Sequence, residues 1–312
     1  MMTTFIGALL PIIFTILLGY IAGKSKAIEP KTAGVLNKIV MNYALPLSLF
    51  FSSNQMPKQL IFNNWKIASW QLFSMLAWWL ITYYVSRLML KSSQTLAAIR
   101  AFAISTPAVL FVGPALFPVL FPQTATIIVS IGSITMGIQL CLTLFALSIA
   151  TSNQAVQEHA SIKQILITAF KKPVILATIL GFVTAFLGLK LPVILTATFM
   201  QLGKTAAGLG LFSIGLILYA FKPSFSRLVW GDVIAKELLV PLSTMSLMLL
   251  MHEPTELINE IILTLMISQM VFPTILAQQY GEGEREMVSS IFLTTLFSFV
   301  VMAGFMFIRQ IG

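Results

Sequence analysis

A few polar and helix-breaking residues stand out in this apolar chain. The run GDVIAKELLVP places Asp232 and Lys236 four residues apart, on one face of a helix, with Glu237 about 100° round from Lys236. An acid and a base at that spacing in an apolar run either form a structural pair or load and release a proton. Glu237 is left for an interface or a neighbouring helix. Lys204, in QLGKTAAGLGLF, is a lone cation. It either supplies a counter-charge to an anion or extends its ammonium to the membrane surface. Asn42, in MNYALPLSLFF, is an amide one turn before Pro46. At membrane depth such an amide needs a partner, either backbone or ligand. The single cysteine, Cys141, lies in an apolar run, and His159 and His252 lie in polar connections. No Walker loop, dinucleotide fingerprint or zinc spacing occurs. The expectation is therefore a protein without covalent chemistry: not an enzyme, with no cofactor and no metal site.

Two further stretches carry breaks. STPAVLFVGPALFP contains Thr106, Pro107, Gly113, Pro114 and Pro118, and SQMVFPTILAQQYG contains Ser268, Gln269 and Pro273. Proline removes a helix hydrogen bond and clashes one turn back. The groups freed in this way need protein partners or a water-filled cavity. Exposed N–H groups at helix N-termini favour anions, so two facing breaks can cradle a carboxylate. Gln269 either contacts that ligand or bonds a neighbouring helix.

The elements that must hold these residues are membrane helices. Of 312 residues, 58% are hydrophobic and 9% charged, and mean hydropathy is +0.94. Soluble domains carry about 25% charged residues, so this chain reads as an all-α integral membrane protein. Ten spans are expected, at about 5–23, 33–53, 64–86, 96–120, 124–150, 173–189, 192–221, 228–250, 257–279 and 287–308. The first reads as a retained helix, because no basic residue precedes it. With the N-terminus outside, thirteen of the nineteen Lys and Arg, Arg100 among them, fall in cytoplasmic connections. The net charge of +9 is thus topological and gives no support to nucleic-acid binding. Both termini are expected outside a cytoplasmic (inner) membrane.

The chain also repeats itself. PIIFTILLGYIAGKSKAIEP from Pro11 aligns without gaps on PVILATILGFVTAFLGLKLP from Pro173, pairing Gly19 with Gly181 and Pro30 with Pro192. The same offset of 162 residues sets Asn42 on Lys204, Pro46 on Gly208, and Thr106-Pro107 on Ser268-Gln269. The expected organisation is a first five-helix repeat at 1–150, a cytoplasmic linker at 151–172 and a second repeat at 173–312. Five spans per repeat invert the second copy, and inverted repeats with broken helices mark secondary transporters.

The stretches LLPIIFTILLGYIAGK, LNKIVMNYALPLSLF, KKPVILATILGFVTAFLGLKLP, LGLFSIGLIL and AKELLVPL resemble the auxin efflux carrier family. The similarity is closest to its bacterial malonate and malate carriers, especially from Lys171 to Pro241. The resemblance implies two inverted five-helix repeats, a scaffold part and a transport part, and spans four and nine crossing unwound near the midplane. It implies transport of small organic anions, in some members coupled to H⁺ or Na⁺, and the inverted repeats add alternating access. An exporter of auxin-like aromatic acids and an uncoupled channel or uniporter are the alternatives. One departure stands out: the family commonly has Asn, an aromatic and Gly-x-Pro in the first crossover, whereas this chain has STPAVLFVGP. The candidate substrate or gating residues are Asn42, Pro46, Thr106, Pro107, Gly113, Pro114, Lys204, Ser268, Gln269 and Pro273. Asp232, Lys236 and Glu237 are candidates for proton coupling or a buried ion pair. The expected partners are a small organic anion, the lipid bilayer and a second copy of the chain.

Overall fold

The computed structural model describes residues 2–55, 58–152, 173–220 and 225–311. The expected linker lies outside them, except for Thr151 and Ser152, which close a helix. The described elements are α1 (Met2–Lys24), α2 (Thr32–Ile39), π1 (Val40–Ala44), α3 (Leu45–Asn54), α4 (Lys58–Asn63), α5 (Trp65–Leu88), α6 (Gln94–Ser105), α7 (Val109–Leu120), α8 (Ala125–Ser152), α9 (Pro173–Leu187), α10 (Val193–Gly203), α11 (Thr205–Ala220), α12 (Arg227–Ile234), π2 (Ala235–Leu239), α13 (Val240–Leu250), α14 (Thr255–Leu265), α15 (Phe272–Tyr280) and α16 (Glu284–Arg309). The protein is an all-α membrane protein. Among the described residues, five stretches are long and apolar enough to cross a bilayer: Thr32–Phe51, Ala125–Leu147, Val193–Ala220, Arg227–Leu250 and Glu284–Arg309. Spans four and nine miss that criterion because each is split into two short helices, α6 with α7 and α14 with α15.

The two π-helices share a cause. Pro46 and Pro241 each lie two residues beyond a π-helix. A proline ring pushes on the carbonyl one turn back. Widening that turn moves the carbonyl aside, and the chain continues through Leu45 N–H to Val40 O and Val240 N–H to Ala235 O. Pro46 therefore bulges its helix without opening it. Span seven has Gly208 in place of Pro46, and its irregularity is a single turn residue, Lys204, between α10 and α11.

The helices form two packed groups. In the first, α1 lies along α11 and α9 along α3. Glycine permits both close approaches. A Cβ on Gly19 would fall 2.1 Å from the Phe212 carbonyl oxygen, and one on Gly181 would fall 2.7 Å from that of Phe50. Gly19 and Gly181 are 162 residues apart, as are Phe50 and Phe212, so one helix contact is used twice. The second group sets α5, α6 and α7 around α8, and α12 to α16 against one another. Trp79 Nε1 donates to Thr143 Oγ1 at 2.9 Å inside it.

Contacts between loops sort the ends of the bundle. Ser93, just before α6, bonds Glu282, just before α16. At the other end, Lys66 reaches Glu253 at 2.8 Å, and Asn54 donates to Leu189 O at 2.7 Å. The connections before and after α5 thus lie at opposite ends, as do those before α14 and before α16.

Candidate functional site

The two broken helices meet through their backbones. α6 ends at Ser105, and Thr106 is extended (φ −109°, ψ 102°). An isolated antiparallel bridge pairs Pro107 with Gln269. Its hydrogen bonds come from the flanking residues: Ala108 N–H donates to Ser268 O at 2.8 Å, and Met270 N–H to Thr106 O at 3.2 Å. Pro107 occupies the position of such a pair that need not donate, so its missing N–H costs nothing there. Pro107 and Gln269 are themselves 162 residues apart, and the offset exchanges the two hydrogen bonds. The bridge therefore has the symmetry of a local two-fold axis.

Side chains brace this crossing unequally. Thr106 Oγ1 donates to Gln139 Oε1 at 2.7 Å, and Gln139 Nε2 donates to Met75 O at 2.9 Å and to Ser105 Oγ at 2.7 Å. On the other strand, Gln269 Nε2 donates to Met287 O at 3.2 Å and Ser290 Oγ donates to Gln269 Oε1 at 3.0 Å. Lys236, wholly buried, donates from Nζ to Leu265 O at 2.7 Å. Leu265 is the last residue of α14, so an ammonium sits at the partially negative C-terminal end of that half-helix.

The expected Asp232–Lys236 pair is not formed. Asp232 instead accepts from Arg100 Nε at 3.1 Å, while Arg100 Nη2 reaches Glu286 at 2.6 Å and Nη1 reaches Ser92 Oγ at 3.2 Å. Arg100 on α6 and the Leu265 carbonyl at the end of α14 take the two side chains instead. Glu237 is 2% exposed, and neither carboxylate oxygen has a hydrogen-bond partner among the described residues.

A cavity of about 290 Å³ opens between the two helix groups. Ser48 of α3 and Lys204 come from the first group; Pro114 and Pro118 of α7 and Thr126 of α8 come from the second. Among the described residues, Lys204 is the only charged side chain in its lining. It is exposed, in the turn that follows Gly203, where a Cβ would fall 3.0 Å from Ser48 N. That close approach brings α3 and Lys204 to the same wall. A cation beside two hydroxyls, with proline and aliphatic surface opposite, can hold a small anion with an apolar portion.

Of the candidates from sequence, Lys204 and Pro114 line this cavity. Thr106, Pro107, Ser268, Gln269 and Pro273 are buried at or beside the crossing, and the polar side chains of Thr106 and Gln269 are engaged by protein. Pro273 lies in the first turn of α15, where a missing N–H leaves no helix bond unmade. Gly113 is buried and packs on Val129 and Phe117. Pro46 is buried, and Gly208 is exposed with open space around it. Asn42 is exposed on π1 and does not line the cavity. Arg100, expected in a cytoplasmic connection, lies on α6, buried in an ion pair with Asp232. Sequence reasoning missed Gln139, Ser48 and Thr126. Gln139 had a signal, as an amide within the 28-residue apolar helix α8. Ser48 and Thr126 had none, because hydroxyls are common in membrane helices. Among the described residues, no three His, Cys, Asp or Glu side chains gather as metal ligands would.

Comparison with known proteins bears on this arrangement. A sequence profile for a family described as membrane transport protein matches residues 4–306. An uncharacterized transporter, YfdV, of Escherichia coli strain K12 is 29% identical over 309 residues, covering 97% of this chain and 96% of its own length. The Shigella flexneri protein of that name matches equally.

Proposed function

Because the chain belongs to the membrane transport protein family, we propose that it is a secondary carrier of small organic anions, malonate- or malate-like carboxylates, working by alternating access and driven by an H⁺ or Na⁺ gradient. The observation that carries this reading is the cavity, which lies between two packed helix groups and, among the described residues, has Lys204 as the only charge in its lining. A carboxylate there gains an ammonium counter-charge and the hydroxyls of Ser48 and Thr126. Rocking one group against the other would close this mouth and open one at the opposite end, with the bridged crossing moving inside the second group.

Positive-inside topology favours termini outside the inner membrane. The cavity lies toward the end of the bundle that holds the Lys66–Glu253 pair, the outer end on that topology. Two inverted repeats are favoured by the paired glycine contacts and by a bridge that the 162-residue offset exchanges with itself.

Purified protein in proteoliposomes, offered malonate, malate, other dicarboxylates and indole-acetate under imposed pH and sodium gradients, tests the proposal. Uptake or counterflow of at least one carboxylate, abolished by Lys204→Ala, is expected. If none of these anions is moved and none raises thermal stability, the organic-anion reading fails.

A further inference from the structure

Glu237 is a carboxyl group that the proposed anion site does not use. It lies on π2, one turn beyond Val233, which packs on Leu293 of α16. It is nearly inaccessible, and both of its oxygens lack a hydrogen-bond partner among the described residues. An ionised carboxylate buried without hydrogen bonds is strongly unfavourable, so such a group carries a proton or binds a cation. The adjacent residue decides between the two. Lys236 is fully buried, and its ammonium is held by Leu265 O at the end of α14. A second metal-like cation beside that ammonium would be repelled, whereas a proton simply neutralises the carboxyl.

The surrounding charges are already committed. π2 packs on α6 and α16. From α6 comes Arg100, which is bound to Asp232 of α12 and Glu286 of α16. α16 also begins with Glu284 and Arg285 and ends with Arg309, which donates to Asn259. Arg227 opens α12. α14 carries Glu256 and Glu260, and Glu260 accepts from Thr124. Lys236 is therefore the charge placed to answer a change at Glu237.

We propose that Glu237 is a proton-binding site whose ionisation draws Lys236 away from the Leu265 carbonyl and loosens the broken end of α14. In the protonated state the carboxyl is neutral and Lys236 stays on Leu265. When the O–H bond breaks, the proton passes to water and leaves a carboxylate on the residue next to Lys236. The carboxylate then competes with a neutral carbonyl for the same donor, and charged acceptors bind an ammonium more strongly. Leu265 is four residues from Gln269 of the bridge, so this exchange acts on the crossing itself. The inference deepens the carrier reading by assigning its driving ion, but its test needs no substrate.

Infrared difference spectra of the protein in proteoliposomes, between acidic and alkaline buffer, should show a carboxyl C=O band on acidification that is missing from the isosteric Glu237→Gln. Asp232→Asn should keep that band. Hydrogen exchange at residues 265–272 should be faster in the wild type than in Glu237→Gln at alkaline pH and equal in the two at acidic pH. A band that survives Glu237→Gln, or one lost from Asp232→Asn, overturns the assignment. So does a band displaced by sodium at constant pH, or equal exchange at both pH values. If malonate and the other anions are not transported while these signals appear, the carrier reading fails and the proton site stands.

Discussion

On one side of the crossing, α7 runs from the bridge to a wall of the cavity, where Pro114 and Pro118 face Lys204 across open space. On the other side, α15 runs from the same bridge into a buried setting in which Val271, Pro273, Leu276 and Ala277 are covered. The backbones at the bridge are equivalents, 162 residues apart, with interchangeable hydrogen bonds. Their surroundings are not. Thr106 is held by Gln139 of α8, whereas Gln269 reaches out to Met287 and Ser290 of α16. The difference teaches that the fold's symmetry is a property of backbone and glycine, while the chemistry lies in side chains that the two halves do not share.

The comparison breaks most severely at the charged anchor of the closed side. Arg100→Met strands the buried Asp232 and is expected to destabilise the protein by about 3–5 kcal/mol, read as a lowered unfolding midpoint in detergent. Gln139→Leu leaves Ser105, Thr106 and the Met75 carbonyl without their partner, and a loss of about 1–3 kcal/mol is expected by the same measurement. In the first helix group, Gly215→Ala sets a Cβ 2.0 Å from the Ile16 carbonyl oxygen and forces the backbones apart. It should cost about 1–3 kcal/mol, whereas Gly208→Ala, with nothing within 4 Å, should leave the midpoint unchanged or raise it. Lys204→Ala tests the open side. It should weaken anion binding at least ~10-fold, about 1.4 kcal/mol, without moving the midpoint, and an unchanged affinity removes Lys204 from the site.

The smallest effect concerns the link between connections. Lys66 Nζ and Trp70 Nε1 donate to the Glu253 carboxylate and hold it below its ordinary value of 4.5. A carboxylate lowered in the folded state contributes its stability in full above pH 4.5, and that contribution is lost as pH falls through the lower folded value. Glu253→Gln should therefore flatten the acid limb of a stability–pH profile and change little at neutral pH.

Much of this was legible in the chain. Composition fixed the membrane class, because too few polar residues exist to cover a soluble surface. Prolines located the breaks in spans four and nine, because the missing N–H is a local fact. The 162-residue offset anticipated Gly19 with Gly181 and Pro107 with Gln269. Partner choice was not legible. Asp232 and Lys236 look like a pair by spacing, but Arg100 of α6 and the Leu265 carbonyl of α14 claim them separately. Arg100 looks like a loop charge because nothing nearby in sequence announces Asp232, 132 residues away. Asn42 and Lys204 look equivalent by register, yet Lys204 lines the cavity and Asn42 does not. The sequence by itself determined the class and the breaks, since these follow from local backbone chemistry and hydropathy. Only the tertiary structure decided which polar groups meet and which line a cavity, since burial and pairing depend on distances between helices far apart in the chain.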